Sequence, residues 1–311
     1  MDNFNIDELA HKISKDLQSV DLFPEDEIKE AVKDAKLDFN KEYDKPIPLI
    51  QMIEDHRSYK DVLTTANIST TIGGAKSKKT FFATMLIASL LGYKDFAING
   101  NLQGLNVVLF DTEQALYHVQ KISNRLKTML KGSLNNIEIF ALRAYMPEKR
   151  AAMIEYYLKQ QQGNYSFVII DGAVDLLYDF NDLKESKQIS TKFMEWSANY
   201  NCHINTILHT NKDQNYARGH LGSELMNKSE TVFRITKEDD NISSVNCEMS
   251  RNAGFKAFQF NIDKGLPNRL DYPFGFYDNE PGEHKPLEQL IKNDEGLNNN
   301  TGFSESSDIP F

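Results

Sequence analysis

Asn67-Ile68-Ser69-Thr70-Thr71-Ile72 runs without a break into Gly73-Gly74-Ala75-Lys76-Ser77-Lys78-Lys79-Thr80, and that loop runs into the apolar segment Phe81 to Leu91. A β-rich run, a loop of small and basic residues and a helical segment follow one another directly, and that order is the cradle a bound phosphate needs. Small residues let backbone N–H groups close around an anion, and the partial positive charge of the helix start adds to them. In this reading Gly73, Gly74, Ala75, Lys76, Ser77, Lys78, Lys79 and Thr80 hold the phosphates of ATP. Lys79 reaches the β- and γ-phosphates and Thr80 ligates Mg²⁺. One position departs from the motif, because Lys78 stands where the second glycine belongs. The departure is accommodated if Lys78 already lies in the first helical turn, with negative φ and its side chain turned away from the phosphates.

Downstream of the loop, β-rich runs alternate with helical patterns. Strands are expected at Asn67 to Ile72, Asn106 to Phe110, Ile137 to Leu142, Phe167 to Ile170 and Ile204 to Leu208. Helices are expected between them at Thr80 to Leu91, Ala115 to Lys131, Pro147 to Gln162 and Lys184 to Tyr200. Strand and helix in alternation imply an α/β fold with a mostly parallel sheet flanked by helices on both faces. Three further runs, Thr231 to Lys237, Ser243 to Ser250 and Lys256 to Asp263, are separated only by turns such as Glu238-Asp239-Asp240-Asn241, so they are expected as antiparallel strands added at the C-terminal edge. Upstream, Ile6, Leu9, Ile13 and Leu17 form one helical stripe and Ile28, Val32 and Leu37 another, ahead of a break at Pro46-Ile47-Pro48. The expected organisation is a helical extension over 1–45, an ATPase core over 46–277 and an acidic, largely disordered tail over 278–311.

In open α/β sheets ligands sit at the C-terminal ends of the strands, and polar residues here collect at those ends. Val107-Val108-Leu109-Phe110-Asp111-Thr112-Glu113-Gln114 delivers Glu113 to that edge, placed to orient and deprotonate a water facing the γ-phosphate. Phe167-Val168-Ile169-Ile170-Asp171 closes an apolar strand on an aspartate, the arrangement that supports Mg²⁺ beside a phosphate loop. Thr206-Ile207-Leu208-His209 ends on a side chain able to sense the γ-phosphate through a hydrogen bond. The loop after it, Asn211 to Ser223, carries Lys212, Tyr216 and Arg218, a set suited to gripping a single strand by phosphate contacts and stacking.

Taken in this order, the motifs resemble the RecA-type ATPases, and within them the RepA-like hexameric replicative helicases (AAA family) of plasmids, phages and mobile elements. The resemblance extends over about residues 46 to 263, and Phe110-Asp111-Thr112-Glu113-Gln114-Ala115-Leu116 is similar to the catalytic-glutamate segment of RecA itself. It implies a RecA-like fold, with Glu113 as catalytic base, Asp171 as Mg²⁺ support and His209 as γ-phosphate sensor. It also implies an arginine finger acting on a neighbouring subunit's ATP, for which Arg251, in Ser250-Arg251-Asn252-Ala253-Gly254, is chosen ahead of Lys228 and Arg234. Such fingers contribute roughly 10³ to 10⁵ in rate in other phosphate-transferring systems, and one acting in trans demands a homo-oligomeric ring, expected as a hexamer. The implied activity is an ATP-driven motor on single-stranded DNA; the alternative is a regulatory RecA-type ATPase that uses ATP binding as an assembly switch without unwinding. The last four residues, Asp308-Ile309-Pro310-Phe311, resemble the C-terminal tip of bacterial single-stranded DNA-binding proteins, which implies docking of replication proteins.

Composition sets the outer bounds. The 311 residues carry a net charge of −10 and are 40% hydrophobic, which excludes fibrous and disordered classes. The charge is uneven: residues 1–45 hold 13 acidic against 7 basic side chains, residues 278–311 hold 8 against 2, and the remainder holds 24 against 26. The core is therefore near neutral and compatible with a local basic contact to DNA, while the ends face other proteins. The longest apolar run, Phe81 to Leu91, is 11 residues, short of the roughly 20 that span a bilayer, and the N-terminus lacks a signal-peptide pattern, so no membrane partner and a cytoplasmic location are expected. Cys202 and Cys247, far apart and outside any metal spacing, are expected as reduced core thiols.

Overall fold

The computed structural model describes residues 24–54, 58–211 and 216–271. These fall into two units, one before Pro46 and one from Pro46 onward. The first contains α1 (Glu25–Ala35), whose first turn carries Glu25, Asp26 and Glu27 against the positive end of the helix dipole. Ile28 and Val32 lie on α1 and Leu37 lies beyond its end; all three are exposed. The stripe from Ile6 to Leu17 lies outside the described residues.

The second unit runs β1 (Pro48–Ile53), β2 (Tyr59–Thr64), β3 (Ile68–Gly73), α2 (Lys79–Leu90), β4 (Ile98–Gly100), β5 (Asn106–Asp111), α3 (Leu116–Met129), β6 (Ile137–Ala141), α4 (Pro147–Gln160) and β7 (Tyr165–Asp171). A 3₁₀ turn at Ala173–Leu176 follows, then α5 (Leu183–Asn199), β8 (His203–His209), α6 (Gly219–Lys228), β9 (Thr231–Lys237), β10 (Ile242–Ser250), β11 (Phe258–Asp263) and β12 (Leu266–Arg269). Among the described residues, nine strands form the main sheet in the order β12-β11-β10-β9-β3-β8-β7-β5-β6. From β9 to β6 every neighbouring pair is parallel, and from β9 to β12 every pair is antiparallel. This is the RecA-like architecture: a mixed α/β sheet with helices on both faces, its parallel strands bearing the phosphate loop and its antiparallel strands added at one edge.

The pattern of burial explains the continuous apolar runs. Along β5, Val107 and Leu109 pack into one core layer with Phe82, Leu86, Ile122 and Leu126 of α2 and α3. Val108 and Phe110 face the opposite layer with Ile154, Leu158, Phe193 and Leu221 of α4, α5 and α6. A strand covered on both faces has no polar alternation to show. α2 is likewise buried from Phe82 to Leu90, so it has no polar stripe.

Three elements depart from the expected pattern. Pro46-Ile47-Pro48 is not simply a break: β1 begins at Pro48 and lies between β2 and β4 in a separate antiparallel sheet. The stretch Asn211 to Ser223 is not loop throughout, because α6 starts at Gly219, with Leu221 and Leu225 buried one helical turn apart. A twelfth strand follows Asp263 through the two-residue turn Lys264-Gly265, both residues having positive φ (48° and 81°), the geometry of a primed hairpin turn.

Candidate active site

The loop between β3 and α2 adopts a backbone that its sequence does not advertise. Lys78 is not in the first helical turn with negative φ: it precedes α2 in the left-handed region, at φ 68° and ψ 31°. Lys76 also has positive φ, 62°. Lysine therefore occupies a conformation that glycine enters freely, and its side chain leaves the loop to donate from Nζ to the carbonyl of Asp240, 2.9 Å away in the β9–β10 turn. Gly73 has a different need, since a Cβ there would collide with the carbonyl oxygen of Ile235 on neighbouring β9.

Lys79 is buried and commits all three ammonium protons inside the site. It donates to the carbonyls of Gly73 (2.9 Å) and Gly74 (3.0 Å) and meets His209 Nδ1 at 3.1 Å. An ammonium has no lone pair, so His209 Nδ1 is the acceptor and the ring proton sits on Nε2. Nε2 in turn faces Glu113 Oε1 at 3.5 Å. The contact with His209 holds the Glu113 carboxyl below its usual range, against the opposing effect of burial. Burial lowers the Lys79 pKa, while Asp171 and Glu113 oppose that shift.

Glu113 is aimed by the residues on either side of it. Asp111, at the end of β5, accepts from the backbone N–H groups of Glu113 (3.1 Å) and Gln114 (2.7 Å) and from Gln114 Nε2 (2.7 Å), fixing the turn out of the strand. The Thr112 hydroxyl lies 2.9 Å from the Asp171 carbonyl, 2.8 Å from the Gly172 carbonyl and 3.1 Å from Asp175 Oδ2. Gly172, at φ 93°, passes so close to this turn that a Cβ would strike Thr112 Oγ1 and lie 2.6 Å from Glu113 Cγ. Asp111, Thr112, Gly172 and Asp175 are thus site residues for which only the carboxylate-rich ends of β5 and β7 gave a sequence signal.

Thr80 Oγ1 donates to Asp171 Oδ2 at 2.9 Å. Burial, with Asp111 and Glu113 nearby, pushes the Asp171 carboxyl up to about 7. A buried carboxylate held by a single hydroxyl, under the repulsion of two further carboxylates, is suited to a cation. Ser77 Oγ, buried in the phosphate loop, has no hydrogen-bond partner among the described residues. The first feature fits Mg²⁺ and the second fits a phosphate oxygen. Among the described residues no group of three or more His, Cys, Asp or Glu side chains could hold a metal on its own.

The remaining predicted residues are engaged in other contacts. Arg251 follows Ser250, which pairs with Thr231 opposite Ser69 at the start of β3, whereas the phosphate loop leaves the other end of β3 at Gly73. Its guanidinium donates to the Lys228 carbonyl at 2.9 Å. Lys228 itself contacts Ser190 Oγ (2.9 Å) and Glu224 (3.3 Å), and Arg234 forms a two-point ion pair with Glu248 at 2.6 and 2.8 Å. Tyr216 is 64% exposed beside the Thr210–Ala217 bridge, and Arg218 stacks over the Phe180 ring at 4.7 Å. Lys212 and the tail residues Asp308, Ile309, Pro310 and Phe311 lie outside the described residues. Cys202 is buried and Cys247 half-buried, both as free thiols.

A phosphate loop at the end of a central parallel strand, with a lysine, a threonine–aspartate pair and a glutamate converging on it, defines an ATP-binding P-loop ATPase domain. Residues 53–215 match the AAA domain family (AAA_25), and the chain belongs to that family. Among solved structures the chain is similar to the RadB recombinase, with a TM-score of 0.49 and 14% identity over 67% of this chain and 93% of that one. It is similar also to a second solved ATPase domain, with a TM-score of 0.49 and 14% identity over 67% of this chain and 86% of that one. No curated protein matches it. No helix among the described residues is long and apolar enough to cross a membrane.

Proposed function

We propose that the protein is an ATP-hydrolysing motor acting on single-stranded DNA, a replicative helicase of the RepA-like kind working as a homo-oligomeric ring. The observation that carries the hydrolytic part is the Lys79–His209–Glu113 relay beside the Thr80–Asp171 pair. Glu113, kept ionised by His209, accepts a proton from water. Lys79 binds the terminal phosphates, and His209 senses their arrival because it shares Lys79 with the loop carbonyls. Thr80 and Asp171 hold Mg²⁺, which neutralises phosphate charge when bound. The DNA part is supported by the order of motifs and by the exposed Tyr216 beside Arg218. Arg251, at the sheet edge remote from its own loop, is assigned to a neighbour's site in the ring.

The test is strand displacement on a forked substrate with the full chain, compared with Lys79→Ala. Expected are ATP-dependent displacement that single-stranded DNA stimulates, and a fall of at least ~100-fold in turnover with Lys79→Ala, the order of effect of removing one phosphate-stabilising group. ATP-dependent assembly with slow turnover indifferent to DNA would overturn the motor in favour of a switch.

A further inference from the structure

α3 stands out from the other surface helices. Between Glu113 and Glu138 the chain carries no Asp or Glu but has Lys121, Arg125, Lys127 and Lys131, in a molecule of net charge −10. Among the described residues α3 is the one solvent-facing helix without a carboxylate; α1, α4, α5 and α6 all have at least one. Its inward face is committed: Val119, Ile122, Leu126 and Met129 are buried, and Arg125 donates to Thr84 Oγ1 (3.0 Å) and to the Gly265 carbonyl (3.1 Å). The opposite face, Tyr117, Lys121, Asn124, Lys127, Thr128 and the following Lys131, is exposed. Tyr117 is 65% exposed, and Lys121 sits 4.8 Å from its ring centroid. At 1.5 Å per residue the helical part of this face, from Tyr117 to Thr128, extends ~17 Å. It begins at the sheet edge that carries Glu113.

We propose that this exposed face of α3 is a contact surface for single-stranded DNA, distinct from the loop after β8. Charge complementarity selects the occupant: lysines spaced along one helix face meet successive phosphates, and an aromatic ring at the end of the row offers a base a stacking partner. The inference rests on the reading of the protein as a DNA motor and extends it, because a strand seated here touches the helix that follows the catalytic glutamate.

The test uses the full chain and a fluorescent oligothymidylate, with anisotropy followed across a salt series. Replacing Lys121 and Lys127 together by glutamine lowers affinity roughly tenfold and reduces the slope of log affinity against log salt by about 1.4, the change expected when two lysines no longer neutralise phosphates of a single strand. Tyr117→Ala lowers affinity at least ~fivefold and Tyr117→Phe restores it, since stacking needs the ring and not the hydroxyl. ATP turnover without DNA stays unchanged in all three variants, which shows that they are folded. If the unaltered protein binds no strand, the DNA-motor reading itself fails. If it binds and the α3 variants bind equally with the same salt slope, this inference alone fails. If the variants change the sedimenting species in the absence of DNA, the face is a contact between copies and the inference is overturned.

Discussion

Position 78 offers a test in which restoring the usual glycine and truncating to alanine give different stabilities. Lys78 holds φ 68°. For an L-residue the left-handed region costs roughly 1–2 kcal/mol, and glycine avoids that cost. Glycine also enlarges the conformational freedom of the unfolded chain, which offsets the gain by about 0.4–1 kcal/mol. Either substitution removes the exposed hydrogen bond from Nζ to the Asp240 carbonyl, worth about 0.5 kcal/mol. Lys78→Gly is therefore close to neutral. Lys78→Ala keeps the backbone cost and loses the bond, so it falls about 1 kcal/mol below the glycine variant. Urea unfolding followed by fluorescence of Trp196, the sole tryptophan and a buried one, measures the difference. For a domain of this size about 1 kcal/mol also appears as about 2–4 °C in Tm. An alanine variant as stable as the glycine variant would refute the left-handed assignment and with it the account of how lysine replaces the motif's glycine.

Two further substitutions probe the site and its support. Gly172→Ala places a methyl group against Thr112 Oγ1 and Glu113 Cγ from a backbone at φ 93°, so turnover is expected to fall at least ~tenfold while nucleotide affinity is retained; equal turnover would show that Glu113 is not held by this contact. His203 is fully buried, with Nδ1 2.7 Å from the Thr64 carbonyl and Nε2 2.7 Å from Ser69 Oγ, and burial lowers its pKa to about 4 from the ordinary 6.5. Between those values the unfolded chain binds the proton and the folded chain does not, so this residue makes stability rise with pH from about 4 to about 6.5, by up to ~3 kcal/mol. Denaturant midpoints across that range should differ in slope between the protein and His203→Asn, and parallel curves would exclude the assignment.

The parts of the fold legible in the sequence are those where one local signal suffices. Strands β5 and β7 appear as mostly apolar runs ending in Asp111 and Asp171, because a strand buried on both faces favours apolar residues and its C-terminal end turns polar to meet solvent and ligand. β8, with buried His203, Asn205 and Thr206, is marked instead by Ile204, Ile207 and Leu208 ahead of His209. The small sheet was hidden for the opposite reason. β2 reads Tyr59-Lys60-Asp61-Val62-Leu63-Thr64, half exposed, and β4 is three residues long, so neither builds a periodic pattern, and both depend on pairing with β1. The site divides along the same line. Lys79, Thr80, Glu113 and Asp171 carry chemistry that names itself by position. Gly172 and Asp175 matter only because β5 and β7 are neighbours, a relation between residues far apart in the chain that no local pattern expresses.

On the proposed reading, the contacts of Lys79 show what an entering phosphate displaces. Lys79 has no proton left over: two are held by neutral carbonyls and one by a neutral imidazole. An anionic oxygen entering the loop forms a charge-assisted bond roughly twice as strong as the neutral ones it displaces, so Lys79 turns toward it at the expense of Gly73, Gly74 or His209. If His209 is released, Nδ1 loses its donor while Nε2 still faces Glu113. On the proposed reading, that release is how the arrival of phosphate reaches His209 at the end of β8. The lysine proposed to bind phosphate would thereby be coupled, through its 3.1 Å contact with His209, to the strand end from which the proposed DNA-gripping loop departs.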